Sequence, residues 1–331
     1  MPSPEITPLT SAQLPACAAL FAHYPYKFAQ QHFQHLDRDR LNAFYLANLE
    51  KSVTAGTPHW VAQADAQQPV ALAGLSGESW HSGIYGLRMA KVQPWLNTQT
   101  PTAGAALLET VLNAARAQNL EHLSVRLDGE DFANLHLFTH RDFYLVDVSL
   151  KFARLMPVEP LAVPPAAAGL HVGLATPDDY AWIRRLGSTT HGGTHFLNDP
   201  HLPHAQTEAL FSAWLERCLN GLAYRVYVVK DAAGAGVGFV TYLRAGAFAR
   251  AVGRTPIILD FVLIDPARRG GGLGPWFIAE TLARETPLPG EPGFDYCELR
   301  TSAHNLSAVI NYEKLGFRCC ATDFVLHHRL A

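Results

Sequence analysis

Apolar and polar positions alternate along the chain in a pattern that recurs about halfway through. Runs of strand character come in pairs joined by short polar or glycine-rich turns: HWVAQA at 59–64 with VALAGL at 70–75, and YRVYVV at 224–229 with GVGFVTYL at 236–243. Such pairs predict β-hairpins. A helical pattern precedes each pair, LNAFYLANLEKSV at 41–53 and HAQTEALFSAWLERCL at 204–219. In the second of these Leu210, Trp214, Leu215 and Cys218 share one face. Beyond the first hairpin, AGAALLETVLNAARAQ at 103–118 predicts a helix and HLSVRL at 122–127 a strand. A short helix from Asp131 to Thr139 then leads to Phe143 and the strand YLVDVSLKF at 144–152. The far end repeats the order: a helix over Leu273 to Glu285, DYCELRT at 295–301, a helix over Leu306 to Leu315, Phe317, and DFVLHH at 323–328.

Setting His122 beside Tyr296 places Arg126 on Arg300, Asp131 on Asn305, Phe138 on Tyr312 and Phe143 on Phe317 without a gap. Few of the paired residues are identical, so the constant spacing of the elements is the better sign of a duplication. Between the halves, residues 157–169 read PVEPLAVPPAAAG, whose four prolines suit a semi-rigid linker. The expected organisation is a domain over 1–156, a Pro/Ala-rich linker over 157–168 and a second domain over 169–331. Each half reads as a mixed, mostly antiparallel sheet flanked by helices, an α/β (α+β) fold class.

Composition narrows the picture. With 331 residues, 48% hydrophobic and 17% charged, the chain can bury a core without metal or disulfide staples. A net charge of −3 argues against nucleic acid or an anionic membrane as partner, so an anionic ligand must be held locally by amides and a few arginines. The five cysteines, Cys17, Cys218, Cys297, Cys319 and Cys320, are odd in number and lack paired spacing, which predicts free thiols in a reducing cytoplasm. Met1-Pro2-Ser3-Pro4 has no basic region before an apolar run, which predicts no signal peptide. Nor does any uninterrupted apolar stretch of about 18 residues predict a membrane span.

The sharpest chemistry lies in residues 257–285, IILDFVLIDPARRGGGLGPWFIAETLARE. An apolar strand over 257–264 ends at Asp265-Pro266. Two arginines, three consecutive glycines and Gly274 follow, then an amphipathic helix. Glycines let the backbone curl closely around a ligand, and the amides of such a loop and first helical turn form a nest for phosphate oxygens. Arg268 and Arg269 add positive charge there. No Gly-Lys-Ser/Thr follows, which excludes a P-loop nucleotidase, and Phe277 breaks the G-x-G-x-x-G spacing of a dinucleotide site.

With these residues in place the sequence resembles the GNAT superfamily of acyl-coenzyme A-dependent N-acyltransferases. Arg269-Gly270-Gly271-Gly272-Leu273-Gly274 matches that family's R/Q-x-x-G-x-G/A signature. Residues 305–317, NLSAVINYEKLGF, match its N-x-x-A-x-x-x-Y-x-x-x-G-F signature through Asn305, Ala308, Tyr312, Gly316 and Phe317. The resemblance covers 169–331 by motif and 1–155 by element order. It implies acetyl-CoA as co-substrate and no metal. By the same resemblance, the amides of 270–274 hold the coenzyme diphosphate, and strand 257–264, through Val262, Leu263 and Ile264, offers its backbone to the pantetheine. Asn305 bonds the pantetheine arm or caps the following helix. Tyr312 stands where a phenol can protonate the departing thiolate.

An amine nucleophile must also lose a proton; Asp260, Asp265, Glu298 and His304 are the candidates, and the base is left unassigned. Strand parity places Asp260 with Val262 and Ile264, opposite Phe261 and Leu263. Acceptor recognition is expected from 191–218, which carries His191, His195, Asn198, Asp199, His201 and His204, although no standard zinc spacing appears there. The F-x-x-D-P stretch, the Trp-bearing helix and the 305–317 tail resemble the dTDP-fucosamine acetyltransferase branch, which implies a nucleotide-linked amino sugar as acceptor.

The first half lacks an arginine-led glycine run after GLRMAKV (86–92). It places Phe138, Asp131 and Asp142 where Tyr312, Asn305 and Gly316 stand. It reads as a degenerate copy. The leading expectation is an acetyl-CoA-dependent N-acetyltransferase for a small-molecule primary amine. The alternatives are a protein or peptide amine acetyltransferase and a non-catalytic coenzyme A-responsive scaffold. Monomer and homodimer both fit the tandem arrangement.

Overall fold

The structure is a computed structural model that describes residues 4–23, 36–63, 68–97, 101–189, 194–285 and 293–330. In chain order the first half contains β1 (Glu5–Pro8), α1 (Leu14–His23), α2 (Arg38–Thr54), β2 (His59–Gln63), β3 (Pro69–Gly77) and α3 (Ser79–Tyr85). These are followed by β4 (Met89–Asn97), α4 (Pro101–Ala117), β5 (His122–Asp128), α5 (Phe132–Thr139) and β6 (Tyr144–Leu155). The second half contains β7 (His171–Leu174), α6 (Tyr180–Thr189), α7 (His204–Arg217), β8 (Arg225–Lys230), β9 (Gly236–Arg244) and α8 (Gly246–Val252). It closes with β10 (Pro256–Ile264), α9 (Leu273–Ala283), β11 (Tyr296–Ser302), α10 (Leu306–Lys314) and β12 (Arg318–Arg329).

The duplication read from the sequence is present in the backbone. From β5 onward each element recurs 174 positions later with the same start: 122 becomes 296, 132 becomes 306, and 144 becomes 318. The conformation is copied even where the residue is not. Gly316 follows α10 at φ 76°, and Asp142, in the matching place, holds φ 62°. Asp is one of the few residues that tolerate the left-handed region, so the turn survives loss of the glycine.

The chain divides into two compact units whose boundaries do not follow the midpoint. The first comprises 1–149, 195–203 and 321–331; the second comprises 150–194 and 204–320. Residues 157–168 therefore fall inside the second unit, where Val158 and Ala167 are buried in its main core. In the first unit the strand order is β1-β2-β3-β4-β5-β12-β6, with β12 contributing its part from Ala321 and β6 its part up to Ser149. β12 enters that sheet antiparallel to β5, pairing Val325 with Arg126 and His327 with Ser124. In the second unit the order is β6-β11-β10-β9-β8-β7, with β6 contributing its part from Leu150. The hairpin strands of each sheet pair antiparallel, whereas β4 beside β5 and β10 beside β11 run parallel.

Local sequence explains the helices that flank the sheets. Asp37 caps α2 by accepting from the amides of Asp39 and Arg40, both at 3.0 Å. α4 buries Leu107, Leu108, Val111, Leu112 and Ala115 against β3 and its neighbours. α9 is buried almost all round: Leu273, Trp276, Phe277, Ile278, Ala279 and Leu282 join Ile257 and Leu259 of β10 in the second unit's core. That burial fixes the helix whose first turn carries the glycine run.

One residue at the end of α9 has a measurable consequence. The Glu285 side chain is fully buried and neither of its oxygens has a hydrogen-bond partner among the described residues, with Arg225 Nε at 3.9 Å. Burial pushes its carboxyl up to about 7, against the pull of Arg225. The folded value lies above the unfolded one, so the stabilisation is complete below the ordinary carboxylate range. It is lost as pH rises toward 7, a swing of about 3 kcal/mol. Glu285→Gln stays neutral throughout. In thermal unfolding scans from pH 5 to 8 it is expected to match wild type near pH 5 and exceed it near pH 8.

Candidate active site

The second unit opens a wedge in its sheet. Parallel pairing of β10 with β11 runs from Pro256 opposite Tyr296 to Leu259 opposite Leu299 and stops there. β10 continues to Ile264, held only on its other edge by β9 through pairs such as Phe261 with Thr241 and Ile264 with Gly238. The backbone of Phe261, Val262, Leu263 and Ile264 is thus left without a strand partner on the β11 side, free to bond a ligand arm lying along it.

The glycine run lies at the end of that strand. Asp265 accepts from the amide of Ala267 at 2.9 Å and turns the chain, and Arg269 Nε donates to the carbonyl of Ile264 at 3.1 Å. Gly270, Gly271 and Gly272 then take φ values of 98°, 58° and 82°, three left-handed residues in succession, and Gly272 caps α9. No backbone or side-chain acceptor meets their three amides among the described residues. A Cβ on Gly270 would enter open space, whereas one on Gly271 would come within 2.7 Å of the Ala166 Cβ. The loop is a cradle of unpaired amides at a helix N-terminus, next to Arg268 and Arg269, and its chemistry suits a diphosphate. Leu273 begins the helix buried in the core and Gly274 follows it, so the run is anchored at its far end.

Tyr312 of α10 is 6% exposed and packed between the rings of Phe152 and Phe317, each with its centroid 5.9 Å away. Its hydroxyl has no hydrogen-bond partner among the described residues. Burial pushes the phenol well above its ordinary value, so it keeps its proton at neutral pH. Asn305 occupies the N-cap position of α10, but its side chain makes no cap bond. Its amide nitrogen lies 3.3 Å from Thr301 Oγ1, and its carbonyl accepts from Ser307 Oγ at 3.2 Å.

Of the four candidate bases, three are engaged elsewhere. Asp265 holds its own turn, Glu298 pairs with Lys151 Nζ at 2.8 Å, and His304 Nδ1 meets Ser302 Oγ at 2.7 Å. Asp260 differs. Its Oδ2 accepts from Trp214 Nε1 at 2.8 Å and from Cys218 and Thr241 at longer range, and burial raises its carboxyl above the usual range. Strand parity misplaces this residue. A β-bulge between Leu259 and Phe261 inserts one residue and resets the alternation. Asp260 consequently faces α7 and the short π turn Cys218–Leu222, the side on which Phe261 and Leu263 also pack. Val262 and Ile264 lie on the opposite side, with the core that includes α9.

Solved structures share this architecture along the whole chain. A GCN5-related N-acetyltransferase from Sphaerobacter thermophilus superposes with a TM-score of 0.62 at 13% identity, over 99% of this chain and 96% of that one. A tandem GNAT protein from the clavulanic acid biosynthesis pathway gives 0.55 at 14% identity, over 98% of both chains. The chain has the tandem GNAT fold. A glucosamine N-acetyltransferase region in a fungal multi-domain GH3 β-N-acetylglucosaminidase also superposes, with a TM-score of 0.62 at 11% identity, over 99% of this chain and 38% of that protein. No protein-family model and no curated protein matches the sequence.

The first unit keeps the wedge and carries different residues around it. β4 pairs with β5 only from Met89 with His122 to Val92 with Val125, the same four-pair length as in the second unit. α4 begins at Pro101 with no glycine cap, and Phe138 packs edge-on against Trp95 and Phe143 where Tyr312 stands in the other unit. Asp131 is buried and bonded to Asn134, which in turn accepts from Asn97 at 3.0 Å. Asp131 thus serves a buried polar network where Asn305 of the second unit bonds Thr301 and Ser307.

Of the residues expected to choose the acceptor, His191 lies outside the described residues. Asn198 donates to the carbonyl of Val146 at 2.8 Å, and Asp199 is fully buried. His195, Asp199 and His201 converge within the first unit rather than along α7, whose first residue is His204.

Proposed function

We propose that the chain is an acetyl-CoA-dependent N-acetyltransferase whose second GNAT unit carries the activity and whose acceptor is a primary amine on a small molecule. The observation that carries this reading is the run of three left-handed glycines with unpaired amides at the start of α9, set at the end of an open sheet wedge. Those amides, with Arg269 bracing the loop, would hold the coenzyme diphosphate. The free edge of Val262, Leu263 and Ile264 would bond the pantetheine arm, and Asn305 would bond it from the other side of the wedge. When bound, acetyl-CoA supplies an acyl thioester.

The chain's own groups then handle protons. Tyr312, kept protonated by burial, gives its proton to the sulfur as the thiolate leaves. Asp260, a buried carboxylate with a raised pKa beside the bulge, takes the proton released by the attacking amine, directly or through water. Trp214 and Cys218 hold its carboxylate in place. A nucleotide-linked amino sugar is the acceptor to assay first.

Calorimetric titration of the purified chain with acetyl-CoA tests the reading. One site per chain is expected, because only the second unit carries a glycine run between its fourth strand and the following helix. Two sites would overturn the reading of the first unit, and no binding would overturn the acetyltransferase assignment.

A further inference from the structure

The first unit, stripped of coenzyme chemistry, holds a group of side chains that the acetyl-transfer reaction does not use. His122 of β5, His327 of β12 and Asp199 of the irregular segment 195–203 converge with side chains fully shielded from solvent. His122 Nε2 lies 3.1 Å and His327 Nδ1 2.6 Å from the same carboxylate oxygen, Asp199 Oδ2. These three donor atoms all lie within 4.8 Å of one another.

We propose that His122, Asp199 and His327 form a binding site for one divalent d-block cation, with zinc the first to test. Two imidazoles and a carboxylate are the donor set such ions take, and three protein ligands leave a fourth position for water. The surroundings of two of the three donors match what a metal centre requires, whereas His122 Nδ1 is buried with no partner among the described residues. A ligating histidine uses its second nitrogen to hold its ring, and His327 Nε2 lies 3.2 Å from His195 Nδ1. A ligating carboxylate is held at its other oxygen, and Asp199 Oδ1 accepts from the Tyr144 hydroxyl at 3.0 Å and the His201 amide at 2.8 Å.

A pocket of about 150 Å³ lies beside the group: His195, which contacts His327, lines it together with Phe196, His81, Lys91 and Arg126. The ligands belong to β5, β12 and a segment without regular structure, so the ion would pin residues 195–203 to the sheet of the first unit.

The test uses the full-length chain without an affinity tag. After dialysis against a chelator, one equivalent of Co²⁺ is expected to give visible d–d bands of a tetrahedral site, and one equivalent of Zn²⁺ to abolish them. Zn²⁺ is also expected to raise the midpoint of thermal unfolding. Asp199→Asn keeps the size of the side chain and its capacity for hydrogen bonds, and is expected to weaken binding by about a hundredfold or more. His195→Gln, which touches no ion, is expected to weaken it by about tenfold. Absence of stoichiometric binding by the wild-type chain would overturn the proposal and leave the cluster a hydrogen-bonded clamp. Binding that survives undiminished in Asp199→Asn would also overturn it, by placing the ion elsewhere.

Discussion

Tyr312→Phe is expected to lower kcat by about a hundredfold or more while changing the dissociation constant of acetyl-CoA by less than about twofold. The substitution removes one oxygen and nothing else. Tyr312 packs between Phe152 and Phe317, so a phenylalanine ring fills the same space. Its hydroxyl has no partner among the described residues, so its loss orphans no buried polar group and should cost less than about 1.5 kcal/mol of stability. What disappears is a proton held for delivery, because burial keeps the phenol protonated through neutral pH. The loss should shrink with thioesters whose thiol is more acidic, since a better leaving group needs less protonation. Single-turnover kinetics with acetyl-CoA and an activated aryl thioester would read both effects. Unchanged turnover would make Tyr312 a core residue. A chain that binds acetyl-CoA but turns over no amine with Tyr312 intact would be a binder instead of an enzyme.

Much of this was legible in the residues because duplication writes the same elements twice. Aligning His122 with Tyr296 anticipated the starts of β11 and α10 from those of β5 and α5, whereas the last strand, expected at 323–328, begins five residues earlier at Arg318. The glycine run and Tyr312 were legible because each depends on local chemistry: φ above zero needs glycine, and a phenol is the only acidic group on that helix face. Short edge strands such as β1 and β7 are not legible, since four residues with no buried position carry no alternation to read. The side of β10 to which Asp260 belongs was misread for a physical reason. A bulge shifts the two-residue period by one, and nothing in PIILDFVLI announces it.

The histidine–aspartate group was the least legible feature. His122 and His327 are separated by more than two hundred positions and sit in strands that become neighbours only because β12 enters the first unit's sheet. Asp199 reaches them from a segment with no regular structure at all. Motif spacing detects ligands on one helix or one hairpin; it has no purchase on three elements joined by topology. The expected division at the proline-rich segment missed the same exchange. Proline content reports local stiffness, whereas membership of a unit is decided by which sheet a strand completes.

Gly271→Val is expected to weaken acetyl-CoA binding by about thirtyfold or more and to lower thermal stability as well. Two costs act together. Valine at φ 58° occupies a region that β-branched residues avoid, at about 1–3 kcal/mol, and its Cβ meets the Ala166 Cβ at 2.7 Å. The backbone must shift to relieve both, and the amides of Gly270, Gly271 and Gly272 then no longer converge on one anion. Loss of two hydrogen bonds to a charged group accounts for an affinity change of about that size. General destabilisation is separated by Gly56→Val, which imposes comparable strain at φ 78° with open space for the side chain, in the turn after α2 of the first unit. That control should lose stability and keep its affinity for acetyl-CoA. Equal loss of affinity in the two variants would mean that binding follows fold stability. Undiminished affinity in Gly271→Val would remove the loop from the coenzyme site, and with it the main support for placing catalysis in the second unit.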